Sequence, residues 1–202
     1  RTIKAANENN LDGQFVAFYG YEWSGASHIL IVNPDSVVSS HQAPYNSLEE
    51  IVSWISGQDD VVAFFNHPGY YDSLDFNGFN FDPKTDKIVG MELWNAEDDF
   101  RKYYYNDGYY RNDGNLSWYD EALQRGWTIG AAGSSDSHWA DWGTSQEFRL
   151  AILAESNTRK NLLEALKRRR FYSTLDKDLK LSFEINGFPM GSIIKPGNYK
   201  LS

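Results

Sequence analysis

The chain has 202 residues, with 19 Lys and Arg against 28 Asp and Glu for a net charge of −9, and no cysteine. This length supports one sizeable core and a small appendage. The missing cysteines exclude disulfides, thiolate zinc sites and a cysteine nucleophile, and the acidic balance excludes nucleic acid as a main partner because no basic field meets the phosphates.

Residues 1–12 are polar, and Ile3 to Ala6 read as the tail of a helix. Residues 15–19 and 28–32 are β-rich apolar runs, the second closed by Asn33 and Pro34. Ser47, Leu48, Glu49 and Glu50 make a capping box that opens a helix to about Ser56, with Leu48, Ile51, Val52 and Ile55 on one face and Gly57 as its terminator. Residues 61–65 form a third buried run, followed by the turn Asn66, His67, Pro68, Gly69. Residues 88–94 form a fourth strand. Residues 95–115 are polar and aromatic, read as a loop with a helical turn. A helix is expected over 118–125, then a strand over 128–132, a strand over 148–153 and a helix over 158–169. Leu179, Leu181, Phe183 and Ile185 alternate with Lys180, Ser182 and Glu184, the period of a strand with one wet face, and Asn186-Gly187 signals a hairpin.

Up to about residue 170 this order predicts α/β architecture built of parallel units, and the tail from about 176 predicts an appended antiparallel β segment. The domain reading is therefore 1–175 and 176–202. No apolar run approaches the ~20 residues that span a bilayer, so no membrane partner is expected. No signal-peptide pattern is read, and cytoplasmic, periplasmic and secreted locations all stay open. The basic run Lys167 to Arg170 reads as the solvated end of a helix.

The four histidines are His28, His41, His67 and His138. His67 and His138 follow buried runs, His28 opens one, and Glu22 follows another. Functional groups in parallel α/β folds collect beyond strand C-termini, a condition that Glu22, His67, Asp136 and His138 meet. Gly133-Ser134-Ser135-Asp136-Ser137-His138 places a carboxylate and an imidazole two residues apart, and both are metal donors. Other readings stand beside this one. Residues 66–69 also read as a plain turn, Ser135 and Asp136 as a helix cap, Glu92 as a buried carboxylate paired with an arginine, and His41 as a solvated loop residue. No G-x-S-x-G elbow and no phosphate-binding glycine fingerprint occur, while the carboxylates leave a two-carboxylate glycosidase open. The aromatic cluster Tyr103, Tyr104, Tyr105, Tyr109, Tyr110 and Trp118 motivates a rival reading, a carbohydrate-binding or glycan-associated domain without catalysis.

The order Gly20-Tyr21-Glu22, His28-Ile29-Leu30, Asn66-His67-Pro68, Glu92-Leu93-Trp94-Asn95 and Ser135-Asp136-Ser137-His138 resembles the later motifs of the polymerase and histidinol phosphatase (PHP) family, over roughly residues 15–175. The resemblance implies a metal-dependent phosphoesterase on a distorted (β/α)7 TIM-like barrel with its metal site at the strand C-termini. It implies Glu22 as a bridging carboxylate, His28, His67, Asp136 and His138 as further ligands, and Glu92 and Asn95 as ligands or supports. Asp136, His138 and Glu22 are then the catalytic candidates. Divalent zinc, manganese or iron is the expected cofactor, and a small-molecule or sugar-linked phosphoester the expected substrate. Arg101, Lys102 and Arg149 are candidate phosphate contacts. The family's opening H-x-H and T-D-H motifs have no counterpart here, so the expectation is a partial barrel, a fragment with part of its ligand set, prone to self-association, or a remnant without catalysis.

Overall fold

The computed structural model of the chain describes residues 2–69, 76–81, 85–95, 117–141, 143–144 and 147–201. The apolar runs become β1 (Gly20–Ser24), β2 (His28–Val32), β3 (Val62–Asn66), β4 (Ile88–Asn95) and β5 (Gly130–Ser134), joined in one sheet in that spatial order. β1 pairs antiparallel with β2 and β2 antiparallel with β3, whereas β3, β4 and β5 are parallel. Four strands thus point one way and β2 points back.

The expected barrel is corrected by this topology. Among the described residues the sheet stays open, and β6 (Arg149–Ile152) and β7 (Phe171–Thr174) form a separate antiparallel pair. The reason is local. Only Gly25, Ala26 and Ser27 separate β1 from β2, whereas a parallel neighbour needs a crossover of a dozen residues or more. The first strand also lies later than the run over 15–19. Phe15 is exposed, and Trp23 is the large side chain that β1 buries, its indole N–H donating to the Tyr45 carbonyl at 2.8 Å.

Both faces of the sheet are covered, which is what its near-continuous apolar strands require. On one face Ile29, Ile31, Ala63, Phe65, Ile88 and Met91 pack on α2 (Leu48–Ser56) and on Ala122 of α3 (Trp118–Gln124). On the other, Val62, Phe64, Val89 and Ala132 meet Phe171 and the Leu163 and Leu166 side chains of α4 (Arg159–Lys167). Thr2–Asn9 form a short helix at the start of the chain. Phe65 anchors the first layer, with the rings of Phe76, Phe79 and Trp127 at centroid distances of 4.7, 5.3 and 5.1 Å. Phe76 to Phe79 make a left-handed turn with φ between 51° and 60°. That conformation costs roughly 1–2 kcal/mol per non-glycine residue, and full burial of both phenylalanine rings offsets it.

The helix starts where the sequence places it, with Ser47 as its N-cap. Ser47 Oγ accepts the Glu50 N–H at 3.2 Å and satisfies one of the free donors of the first turn. Ser47→Ala is expected to lower stability by about 1 kcal/mol, read as a drop of roughly 2–4 °C in melting temperature. Gly57 caps the helix with a right-handed φ of −79°, so the terminator does not use glycine's access to positive φ.

The tail holds β8 (Glu184–Ile185) and β9 (Phe188–Pro189), joined by Asn186 and Gly187 at φ 51° and 81°, the two-residue hairpin that the sequence signals. The longer alternating strand is not formed. Leu179 and Leu181 are exposed, and their backbone groups bond instead to the Tyr172 hydroxyl, which donates to the Leu179 carbonyl and accepts the Leu181 N–H. No helix among the described residues is long and apolar enough to cross a membrane.

Candidate metal centre

The direction of the strands decides which polar side chains meet. β1, β3, β4 and β5 end at the same edge of the sheet, and β2 begins there. Glu22 and His28 face Leu30 and Asn66 respectively across the ladders, so alternation sends Glu22, His28 and Asn66 to one face. Glu22, His28 and His67 each present one donor atom within 4.8 Å of the others. His28 Nδ1 lies 2.8 Å from His67 Nε2, with the rings edge to face. The two Glu22 oxygens lie 3.6 Å from His28 Nδ1 and 3.8 Å from His67 Nε2.

These separations suit a shared cation. Tetrahedral ligands at 2.0–2.2 Å bond lengths sit about 3.3 Å apart, which falls inside the span of the three observed distances. Two imidazoles and one carboxylate are a donor set for zinc, manganese or iron. The residues present therefore fit a divalent metal.

His67 is held from behind. Its backbone N–H and its Nδ1–H both donate to Glu92 Oε2, at 2.8 and 2.9 Å. The other Glu92 oxygen accepts the Ser134 hydroxyl. A carboxylate that accepts Nδ1–H fixes the ring and turns Nε2 toward the other donors, the arrangement of a carboxylate-supported histidine ligand. His67 and Glu92 are only 5% and 4% exposed, so the clamp is inside the protein. His67 also sits at φ 29°, a left-handed value. The residue before a proline normally avoids helical backbone on either side, and such strain, on the order of 1–3 kcal/mol, persists where surrounding bonds dictate it. The two bonds to Glu92 are those bonds.

Electrostatics sets the two rings apart. Burial opposes charge on His67, yet the hydrogen bond and charge of Glu92, with Asp136 and Glu22 behind them, lift its pKa above the ordinary histidine value. Burial pushes His28 down, partly opposed by Glu22 and reinforced by His67. His67 is thus the more basic of the two rings.

The remaining sequence candidates divide around this triad. Asp136 follows β5 with φ 45°, and its Oδ2 accepts the Asn95 side-chain N–H at 3.0 Å and lies 4.0 Å from His67 Nδ1. It borders the triad on the Glu92 side. Asn95 is buried and donates, so it supports Asp136 rather than joining the donor group. Glu92 pairs with His67 and Ser134, not with an arginine as one sequence reading held. His138 is exposed on the loop after β5 and stands outside the triad, and His41 is exposed in its loop. Arg149 is exposed and its guanidinium donates to the Glu147 carbonyl. Arg101, Lys102 and Tyr103 to Tyr110 lie outside the described residues, while Trp118 packs half-buried on the first core layer.

Three supporting residues were missed in the sequence. Asn66 donates to Glu22 Oε1 at 2.7 Å, Ser24 donates to Glu22 Oε2 at 3.1 Å, and Ser134 holds Glu92. Period-two alternation was the available signal for Ser24, which shares the face of Glu22 two residues before it. Asn66 and Ser134 are legible only once the strand order is known. The chain matches no family model, no curated protein and no solved structure.

Proposed function

We propose that this chain is a divalent-metal-dependent hydrolase of phosphoesters, with the metal held by Glu22, His28 and His67. The observation that supports this most is the Glu92 clamp, which spends a buried carboxylate and a strained backbone on aiming one imidazole nitrogen at two other donors. A purely structural histidine needs neither. The phosphoester class rests on the order of motifs shared with the PHP family, and the reading concerns the site, independent of any barrel.

In this reading Glu22 is both ligand and organiser. Its two oxygens are oriented by Asn66 and Ser24, which leaves their remaining lone pairs toward the histidines. A bound divalent ion would supply a water of lowered pKa and polarise the phosphoryl oxygens. Asp136, steadied by Asn95, and the exposed His138 stand on the loop after β5 and are assigned to the substrate side of the centre. The net charge of −9 disfavours polyanions and suits small esters whose charge is met at the metal.

The test is turnover of bis(4-nitrophenyl) phosphate and 4-nitrophenyl phosphate by the chain loaded with zinc, manganese or iron(II). We expect release of nitrophenolate that chelator abolishes and that His67→Ala reduces by at least a hundredfold. Metal binding without turnover of either ester would overturn the hydrolase reading and leave a metal-binding protein without catalysis. Tyr103 to Tyr110, which motivate the carbohydrate-binding alternative, lie outside the described residues.

A further inference from the structure

Asn-Gly occurs twice in the chain, at Asn77-Gly78 and Asn186-Gly187. The pair has a chemistry besides turn formation. The backbone nitrogen that follows an asparagine can attack its side-chain amide carbon, and glycine, with no Cβ, leaves that approach open. The fold treats the two pairs differently.

Asn186 and Gly187 are both exposed at the tip of the β8–β9 hairpin. A Cβ placed on Gly187 would meet no atom within 4 Å. Among the described residues the Gly187 N–H and the Asn186 Nδ2 take no hydrogen-bond partner. Asn186 Oδ1 accepts the Lys200 N–H at 2.8 Å, a donor that meets negative charge gathering on that oxygen during attack. Each arm of the hairpin is two residues long, and so short a ladder opens readily. The bond to Lys200 comes from outside the two arms, so opening of β9 does not itself break it. Asn77-Gly78 sits between Phe76 and Phe79, whose rings are fully buried, and a Cβ on Gly78 would stand 3.3 Å from Glu121 Oε1. Opening that turn uncovers both rings.

We propose that Asn186 is a site of spontaneous modification by its own backbone. The Gly187 nitrogen loses its proton to solvent and bonds to Asn186 Cγ. The Cγ–Nδ2 bond breaks, and ammonia leaves with a proton taken from solvent. Water then opens the resulting cyclic imide at either carbonyl, giving an aspartyl or an isoaspartyl residue, with no change of oxidation state. The isoaspartyl product routes the main chain through the side-chain methylene, which a two-residue turn does not accommodate. Asn186 also donates its N–H to the Lys200 carbonyl at 3.0 Å, so that product releases residue 200 from the hairpin.

The experiment is ageing of the full chain in mildly alkaline buffer, with and without urea, followed by peptide mass mapping that separates aspartyl from isoaspartyl forms. In urea Asn77 and Asn186 should react at comparable rates. In the folded chain Asn186 should react at least tenfold faster than Asn77, and Gly187→Ala should slow it at least tenfold. Hydrogen exchange at the Lys200 amide should quicken in the isoaspartyl fraction, and an unchanged rate there would remove the release step. A folded chain in which Asn186 stays intact, or reacts no faster than Asn77, would overturn the proposal. Should Gly187→Ala disturb the hairpin, the comparison of the two asparagines in the unaltered chain still decides.

Discussion

Zinc or manganese at about 100 times its dissociation constant should raise the melting temperature of the chain by roughly 5–10 °C, since binding to the folded state alone is then worth about 2.7 kcal/mol. His28→Ala should remove this rise. The variant takes away one of the three donors, yet His28 is only half-buried, so the metal-free melting temperature should move by no more than about 2–4 °C. His67→Ala should remove the rise too, at a larger cost to the metal-free protein, because the buried Glu92 loses the ring bond and keeps only the backbone one from that position. The rise should also shrink as pH falls from 7.5 to 5.5. Ligation needs the donor nitrogens of both rings unprotonated, and His67, lifted above the ordinary histidine value, gives up its proton later as pH rises, so acid competes with metal and affinity falls with pH. A full rise in His28→Ala, or one that grows in acid, would sink the triad.

Much of the secondary structure behind this centre was legible locally. Ser47 and Glu50 announced a helix start, Asn186-Gly187 announced a hairpin, and the runs near 28–32, 61–65 and 88–94 became strands with bounds shifted by a residue or so. Topology was not legible in the same way. Buried β-rich runs look alike whether their neighbours are parallel or antiparallel, and only the three-residue link after Ser24 betrays the reversed direction of β2. The run over 15–19 misled because its residues are apolar without being buried in a strand, whereas β1 presents Tyr21 and Trp23 on one face and Glu22 and Ser24 on the other.

The site was legible in part for a related reason. Residue type nominated Glu22, His28 and His67, and the structure brings those three together. Past a strand C-terminus lie His67, after β3, and Asp136 and His138, after β5, whereas Glu22 lies inside β1 and His28 is the first residue of the reversed β2. Asp136 and His138 share one short motif, yet the loop after β5 separates them, with Asp136 beside Asn95 and His138 exposed. Spacing of two residues says nothing about direction outside regular structure. Glu92 shows the converse. Its apolar flanks marked it as buried, and a buried carboxylate needs partners, but the partners are a histidine just past the preceding strand and a serine at the end of the next strand, which no local pattern names.

Glu92→Ala should therefore be among the most damaging single changes in the chain. It strips the acceptor from the His67 N–H, the His67 Nδ1–H and the Ser134 hydroxyl at once. Leaving buried donors without partners costs about 1–3 kcal/mol each, and discounting for the exposed serine gives a loss of about 3 kcal/mol, or roughly 6–12 °C in melting temperature. Nothing then imposes the left-handed backbone at His67, so the ring is free to leave its position and the metal affinity should fall about 10–100-fold, as for loss of a group that orients a ligand. Glu92→Gln separates the two effects. It keeps the volume and one acceptor oxygen for the backbone N–H, but its amide nitrogen donates where the carboxylate accepted. Stability should recover to within about 1–2 kcal/mol of the parent, while metal affinity stays reduced because the charge that holds Nδ1–H is gone. Melting curves and metal titrations of the two variants check this directly. A Glu92→Ala chain that melts like its parent and binds metal as tightly would show that His67 is aimed by something other than the clamp.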